Sequence, residues 1–301
     1  MNITVPLSVP AALREEFIAN YAKATLQSGN LFLFAGDQKI EHLHKDFYGN
    51  GISLQAADPE HLFKIASKSR IGAFATQLGL IARYADNYRT INYIVKLNSK
   101  TDLVSSTQKE PISALLHSVA DVVQFKKSNN LSIVGVGYTI YLGSEYESSM
   151  LAQAAQVIYQ AHQHGLIAVL WVYPRGKAIT DERSIDLITG AAGVATCLGA
   201  DFVKINPPKA IPKKTSAQLL AQVSTAAGNT KVICSGGSAK KAEDFLKELY
   251  EQLTIGNAQG AAIGRNIHQK NLAEAEKMCA AVAALIVDGK DIATATKILL
   301  E

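Results

Sequence analysis

Short apolar segments recur along the 301-residue chain, and longer stretches with the spacing of amphipathic helices lie between them. Several of these segments are almost continuously apolar, which is typical of parallel strands that are covered on both faces. The eight candidate strands are LFLFAG (31–36), IGAFATQL (71–78), TINYIVKLN (90–98), LSIVGVGYT (131–139), LIAVLWVY (166–173), DFVKIN (201–206), TKVICSGG (230–237) and QGAAIGRN (259–266). Strands that alternate with helices in this way predict a parallel sheet.

The stretches between the segments carry helix start and stop signals. DPEHLFKIASKSR (58–70) opens with Asp58 as a candidate cap and Pro59 at the first helical position, and EYESSMLAQAAQVIYQAHQHG (145–165) ends at Gly165. The remaining helices are predicted over 181–200, 216–228, 238–253 and 272–289, with a short helix after the last. Eight strands alternating with helices over about 250 residues predict an α/β fold of the (β/α)8, or TIM, barrel type. A doubly wound open sheet is the alternative, but no glycine fingerprint follows the first strand.

The composition predicts one barrel domain over residues 1–301, with an N-terminal extension (about 1–30) and a C-terminal helical end (about 290–301). Hydrophobic residues make up 48% of the chain, enough for a single large core. The net charge of +4 is small and dispersed, so no nucleic-acid partner is expected, although an anionic small substrate is compatible with it. No segment approaches the ~20 apolar residues of a membrane span, so no membrane partner is expected either. Three widely spaced cysteines favour a reducing, cytoplasmic location.

Two glycine-containing turns follow the last two predicted strands. The active sites of (β/α)8 barrels lie at the carboxyl ends of the strands, and the loops after strands 7 and 8 frequently bind phosphate. Strand 7 ends in Ser235-Gly236-Gly237 and strand 8 in Gly264-Arg265. Glycines leave backbone N–H groups accessible to an anion, and a guanidinium matches phosphate oxygens. The pair of turns predicts a phosphate site, with two ordinary turns as the alternative.

Lys204 lies in the middle of the sixth apolar segment. The alternation of side chains places it opposite the β-branched Val203 and Ile205, which suit the surface beneath the helices. We therefore expect Lys204 to point into the barrel, where burial lowers the pKa of its amine and a neutral amine can form a Schiff base with a carbonyl. The alternative is a structural lysine paired with an acid such as Asp37. Lys96 on strand 3 is a second candidate, and could be the nearby cation that lowers the pKa of Lys204.

Trp171, Tyr173 and Arg175 share one face at the end of the fifth segment. A phenol can transfer protons at the carbons of a Schiff-base intermediate, and an indole can line the pocket and exclude water. The alternative is that Trp171 and Tyr173 fill the barrel while Arg175 lies on its rim.

The histidines form two close pairs, but neither pair has a third ligand at zinc spacing, so no metal site is predicted.

With these residues the chain resembles the archaeal-type class I aldolases, a family that also holds the deoxyribose-phosphate aldolase-like enzymes. The matching stretches are GDQKIEH (36–42), YLGSEYE (141–147), LWVYPRG (170–176), FVKIN (202–206), CSGGSAK (234–240) and AIGRNI (262–267). The resemblance extends from about residue 30 to 287 and keeps the order of the family. It implies a class I fructose-bisphosphate aldolase, a lyase that uses a Schiff base and no metal or other cofactor. It also implies a phosphorylated sugar as the substrate and a homo-oligomer as the assembly.

The resemblance also implies roles for individual residues. Lys204 would form the imine with dihydroxyacetone phosphate, Tyr173 would transfer a proton, and Asp37 would assist proton transfer at the substrate hydroxyls. The substrate-binding residues would be Trp171, Arg175, Ser235, Gly236, Gly237, Gly264 and Arg265, the last five forming the phosphate cradle. Lys96 joins the predicted substrate-binding residues because of its place in strand 3, not because of the resemblance.

One departure concerns the motif after strand 1. Many archaeal members carry Asp-His-Gly where this chain has Asp37-Gln38-Lys39, which leaves the acceptor aldehyde open. Two alternative functions remain. One is a transferase of the same family that acts on a phosphorylated ketose, in signal-molecule breakdown or aromatic-precursor synthesis. The other is a sugar-phosphate-binding barrel without catalysis.

Overall fold

The structure, a computed structural model, describes residues 3–103 and 110–301 and contains a closed barrel of eight parallel strands. The strands are β1 (Leu31–Ala35), β2 (Ala73–Gln77), β3 (Tyr93–Lys96), β4 (Ile133–Leu142), β5 (Ile167–Pro174), β6 (Phe202–Ile205), β7 (Lys231–Ser235) and β8 (Gly260–Ile263). Each strand pairs with its neighbours in chain order, and β8 pairs with β1 to close the ring. The predicted (β/α)8 barrel is confirmed.

Helices surround the barrel. They are α1 (Arg14–Ala24), α2 (Gln38–Glu41), α3 (Glu60–Lys68), α4 (Leu78–Tyr84), α5 (Val119–Asn129), α6 (Glu147–His162), α7 (Ile185–Leu198), α8 (Ser216–Ala226), α9 (Ala242–Thr254), α10 (Arg265–His268), α11 (Leu272–Ile286) and α12 (Ile292–Leu300). Single 3-10 turns lie at Ala11–Leu13, Leu43–Asp46, Leu54–Ala57 and Ala85–Asn87. Among the described helices, none has both the length and the apolar character needed to cross a membrane.

Local sequence signals determine several helix ends. Ser118 and Asp121 form a capping box at the start of α5, and Thr215 and Gln218 form another at the start of α8. Gly199 ends α7 with a φ of 85°, a left-handed conformation that glycine adopts without strain. These short-range signals fix where the helices of the outer ring begin and end.

Some elements differ from the prediction. The helix α1 lies within the expected N-terminal extension, and α5 lies between the third and fourth strands, where the sequence predicts no helix. Strand β4 continues past its predicted end at 139 because it pairs with β5 as far as Leu142. Strand β3 ends early because the following Asn98–Ser99 pairs with Ala114–Leu115 in a separate antiparallel hairpin.

The strands separate two apolar layers. Val203 and Ile205 point outward and pack under the helices, whereas Phe202 points into the barrel, as the alternation of side chains predicts. Helix α1 closes the barrel at the amino ends of the strands, where Phe17 is fully buried and the ring of Tyr21 stacks on Phe202 with centroids 5.2 Å apart. The interior is therefore filled with apolar side chains at this end, and its polar residues gather at the carboxyl ends of the strands.

Candidate active site

A cavity of about 160 Å³ lies at the carboxyl ends of the strands. The predicted site residues that line it are Asp37, Trp171, Tyr173, Arg175, Lys204, Ser235, Gly236, Gly237, Gly264 and Arg265. They lie in or directly after β1, β5, β6, β7 and β8, because all eight parallel strands present their carboxyl ends at this face. Of the predicted site residues, all of which are described, Lys96 alone is outside the lining.

Lys204 is buried in the barrel, with 3% of its surface exposed. It pairs in register with Trp171 on the neighbouring strand, and its Nζ lies 5.4 Å from the centroid of the indole. Burial lowers the pKa of Lys204; the carboxylates of Asp37 and Glu41 oppose this shift without cancelling it. Within the described residues Lys204 makes no salt bridge, and Asp37 acts on its amine only through its charge.

Lys96 is also fully buried, but its ammonium is hydrogen-bonded. Its Nζ donates to the main-chain oxygen of Asn98 at 2.9 Å and to Asn98 Oδ1 at 3.3 Å. The same Nζ lies 5.3 Å from the centroid of the Trp171 indole, so this ring lies near both lysines. Burial lowers the pKa of Lys96, and Lys204 adds a smaller shift in the same direction.

The position of Trp171 depends on a glycine in the neighbouring strand. A Cβ on Gly137 would lie only 2.4 Å from Cζ3 of the indole, so a larger residue cannot occupy this position while the ring stays in place. Trp171 is 1% exposed, and its Nε1 is buried without a hydrogen-bond partner in the described part of the chain. The indole therefore acts as an apolar wall beside Lys204.

Tyr173 extends the same face of β5 into the cavity. It pairs in register with Tyr141 on β4, and the centroids of their rings are 6.3 Å apart. Burial raises the pKa of Tyr173, and the negative charges of Asp37 and Glu41 raise it further. The phenol is therefore protonated at neutral pH and can donate a proton.

Arg175, beyond Tyr173, is held by an acidic partner. Its Nε and Nη2 each donate to a carboxylate oxygen of Glu182 at 2.8 Å. The guanidinium also lies 5.7 Å from the ring centroid of Tyr141 and 5.8 Å from that of Tyr173. The hydrogen bonds to Glu182 raise the pKa of Arg175, so its charge is fixed and its fork is oriented at the mouth of the cavity.

The turns after β7 and β8 face each other across the cavity. Arg265 Nε donates to the carbonyl of Gly237 at 3.1 Å, and Asn266 Nδ2 donates to the carbonyl of Gly236 at 2.8 Å. The expectation that both glycines offer free N–H groups is wrong for Gly236, whose N–H bonds to the carbonyl of Ala262 at 2.9 Å. The N–H of Gly237 has no acceptor among the described residues, which leaves it available to an anion. The guanidinium of Arg265 lies near this turn, with its Nε 3.7 Å from Asp46 Oδ2.

Several residues of the cavity are not assigned to the site by the sequence reasoning. They are Glu41, His42, Tyr141, Asn206 and Ala262, whereas Gln38, which also lines the cavity, belongs to the motif that the sequence connects with the acceptor aldehyde. Glu41 and His42 lie one helical turn after Asp37, and the alternation along β4 would have reached Tyr141 had the strand been extended past 139. Within the described ranges, no group of three or more His, Cys, Asp or Glu side chains is placed to hold a metal ion.

The fold and this cavity define a class of (β/α)8 barrel in which a desolvated lysine lies in one cavity with two glycine-containing turns and an arginine. A family model described as DeoC/LacD family aldolase matches residues 31–270. The fructose-bisphosphate aldolase/6-deoxy-5-ketofructose 1-phosphate synthase of Methanocaldococcus jannaschii is 54% identical over 99% of this chain and 94% of its own.

Two solved structures are similar along almost the whole chain. A fructose-bisphosphate aldolase from Slackia heliotrinireducens superposes with a TM-score of 0.97 at 52% identity, over 99% of this chain and 94% of that one. The second is an archaeal fructose-1,6-bisphosphate aldolase whose catalytic lysine is covalently bound to the carbinolamine intermediate of the substrate. It superposes with a TM-score of 0.76 at 31% identity, over 90% of this chain and 99% of that one. The chain belongs to the DeoC/LacD aldolase family.

Proposed function

We propose that this protein is a class I, Schiff-base-forming aldolase. It reversibly cleaves fructose 1,6-bisphosphate to dihydroxyacetone phosphate and glyceraldehyde 3-phosphate. The observation that carries the proposal is that the buried amine of Lys204, which has no hydrogen-bond or salt-bridge partner in the described part of the chain, shares a cavity with the protonated phenol of Tyr173. The names of the Methanocaldococcus and Slackia relatives, which cover this chain almost completely, support the same activity.

The reaction begins at Lys204. The neutral amine attacks the C2 carbonyl of the open-chain ketose, and loss of water from the carbinolamine gives an iminium ion. Removal of the C4 hydroxyl proton then lets the C3–C4 bond break, because the iminium accepts the electron pair as an enamine. Glyceraldehyde 3-phosphate leaves at this point. Asp37 lines the cavity, and its side chain can take the hydroxyl proton.

Tyr173 completes the reaction by returning a proton. Its phenol has a raised pKa and so carries a proton to donate to C3 of the enamine. Water then hydrolyses the iminium, releases dihydroxyacetone phosphate and restores the amine. Since the iminium is the electron sink, these steps need no metal ion, and we propose that the enzyme works without one.

The two phosphate groups of the substrate would bind to different arginine side chains. The phosphate on C1 would bind between the Ser235–Gly237 turn and Arg265, and the phosphate on C6 would lie toward Arg175. This places the reacting C2–C4 segment between them, close to Lys204 and Tyr173.

Trapping of the iminium tests the assignment. Borohydride in the presence of dihydroxyacetone phosphate should reduce the iminium to a stable secondary amine on Lys204, found by mass spectrometry of the peptides. Lys204→Met should lose both the adduct and the cleavage of fructose 1,6-bisphosphate. Lys68→Met, at an exposed lysine of α3, is the matched control and should keep both. An adduct on Lys96 instead, or loss of cleavage in EDTA, would refute this mechanism.

Neither alternative from the sequence is favoured by a feature of the site. A transferase would use the same lysine, and a pure binding protein would need the phosphate turns alone. Comparing the rates with a series of phosphorylated ketoses and acceptor aldehydes separates the aldolase from a transferase. A binding protein would form no borohydride adduct.

The assembly, location and pathway belong to the proposal as well. We propose a cytoplasmic homo-oligomer that serves glycolysis and gluconeogenesis. The support is the chain's resemblance to aldolases and the proposed substrate. Light scattering of the purified protein measures the oligomeric state, and a monomer at all concentrations would contradict this part.

A further inference from the structure

Gln38 and Lys39 follow Asp37 at the end of β1, and their side chains take different directions. Lys39 Nζ donates to the carbonyl of Ala57 at 3.1 Å and lies 4.1 Å from the ring centroid of Phe47, so it does not line the cavity. Gln38 is partly buried and does line the cavity. Of the two residues, it is Gln38 that can meet a substrate.

A buried histidine holds the amide of Gln38. His268 is fully buried, and its ring stacks on Phe47 with centroids 4.4 Å apart and an angle of 9° between the planes. Its Nε2 lies 3.3 Å from Gln38 Oε1, while its Nδ1 is buried without a partner among the described residues. Burial lowers the pKa of His268 to about 3, so the ring is neutral and carries a single proton.

The proton of this neutral ring belongs on Nε2. Placed on Nδ1, it would leave a buried N–H with no acceptor, which proteins avoid more strictly than an unused acceptor. With the proton on Nε2, His268 donates to Gln38 Oε1. The amide of Gln38 is then oriented with its oxygen toward His268 and its NH2 group away from it.

The amide also lies against the second phosphate turn. A Cβ on Gly264 would be 2.3 Å from Gln38 Oε1, so Gln38 packs directly on the backbone of Gly264, next to Arg265. The NH2 group of Gln38 has no acceptor in the described part of the chain, and it is not among the buried unpaired atoms. The amide oxygen of Gln38 lies against this turn, and its NH2 group is a free donor on a residue that lines the same cavity as Gly264 and Arg265.

We propose that Gln38 is a substrate-binding residue that donates an amide N–H to an oxygen of the substrate's C1 phosphate, and that His268 is a positioning residue that fixes the direction of this amide. The inference rests on the proposed function and adds a neutral donor to the glycines and Arg265 of the phosphate site. It also separates the roles of Gln38 and Lys39, because Gln38 lines the cavity and Lys39 does not.

The test compares Gln38→Met and Gln38→Glu with the wild-type enzyme. Methionine keeps the shape but lacks the donor, and glutamate replaces the donor with a negative charge. A hydrogen bond to a charged group predicts that Gln38→Met raises the KM for fructose 1,6-bisphosphate, and the Kd for inorganic phosphate measured by calorimetry, by roughly tenfold. Gln38→Glu should raise both further, because its charge repels phosphate. In both variants kcat should change much less than KM.

Gln218→Glu is the matched control for the charge change. Gln218 accepts in the capping box of α8, a role that glutamate also fills, and it is outside the cavity lining. The KM of this variant should equal that of the wild type. Unchanged KM and phosphate Kd in Gln38→Met would overturn the inference.

His268→Phe tests the positioning role. Phenylalanine can keep the stack on Phe47 but cannot donate to Gln38, so the KM should rise. The same change in the Gln38→Met background should add little, because the group that His268 orients is already absent. Fully additive effects on KM would refute positioning through Gln38.

The proposed function has its own, separate readout in these variants. Each variant should still form the borohydride adduct on Lys204 at saturating dihydroxyacetone phosphate. If the wild type forms no adduct, the aldolase assignment fails. If it forms the adduct while the Gln38 variants bind phosphate normally, only the role of Gln38 fails.

Discussion

Gly137→Ala tests whether Trp171 is held in place by the absence of a side chain on β4. The new Cβ would lie 2.4 Å from Cζ3 of the indole, 2.8 Å from Cη2 and 3.3 Å from Cε3. The backbone of Gly137 cannot retreat, because it pairs with Lys96 on one side and with Val169 on the other. The indole must therefore move.

The size of the effect follows from these distances. Carbon atoms in contact are normally about 3.5–4.0 Å apart, so the ring has to shift by roughly 1 Å. Overpacking of this kind costs about 1–3 kcal/mol, which corresponds to a fall in Tm of roughly 2–10 °C for a chain of this size. Because the ring lies beside Lys204, the same shift should lower kcat/KM by about 100-fold.

The assay uses the single tryptophan of the chain. Trp171 is the only indole, so a change in its emission spectrum reports directly on its surroundings. Gly190→Ala is the matched control, since Gly190 lies in α7 with no atom within 4 Å of the added Cβ, and this change should leave Tm equal or higher. If Gly137→Ala keeps the wild-type Tm and emission spectrum, the packing argument for Trp171 is wrong.

Three further outcomes are expected. Burial lowers the pKa of Lys204, so its neutral amine should form at a lower pH than that of an ordinary lysine. The rate of borohydride trapping should therefore rise with pH and level off below the ordinary pKa of lysine. A rate that still rises through the ordinary pKa would contradict the lowered pKa of Lys204. Tyr173→Phe should keep the Lys204 adduct but slow cleavage by about 10²–10⁴-fold in steady-state kinetics, and normal turnover would assign the proton transfer to another group. Asn266→Ala removes the donor to the carbonyls of Gly236 and Ser238, so urea denaturation should give a free energy of unfolding about 1–3 kcal/mol lower, and the Kd for inorganic phosphate should rise. An unchanged phosphate Kd would mean that phosphate binding at the turn after β7 does not depend on the hydrogen bonds from Asn266.

The barrel could be predicted because its strands are covered on both faces. Burial on both sides produces continuous apolar runs, and a polar residue within such a run stands out; Lys204 between Val203 and Ile205 is the clearest case. The order of the strands then follows from the chain, since consecutive strands of a (β/α)8 barrel are neighbours. This is why the polar strand ends could be grouped into one site without coordinates.

Contacts between side chains from distant parts of the chain could not be predicted in the same way. Nothing in the sequence indicates that His268 contacts Gln38, or that Asn98 binds the ammonium of Lys96, because these contacts depend on loop paths that no periodicity describes. Helix α1 was missed for a related reason. Its buried face is small, and it becomes necessary only as the cover of the barrel's amino end.

The two buried lysines differ in the features that suit an amine to act as a nucleophile. Both lie about equally far from the Trp171 indole, and burial lowers the pKa of both. Lys96 donates to two oxygens of Asn98, and these hydrogen bonds favour its charged form. Lys204 has no acceptor within the described residues and faces the cavity. Its neutral form therefore gives up no hydrogen bond, and it is the only one of the two that a substrate carbonyl can reach. Asn98 therefore separates the two lysines, because its oxygens hold the Nζ of Lys96 while the Nζ of Lys204 stays open to the cavity.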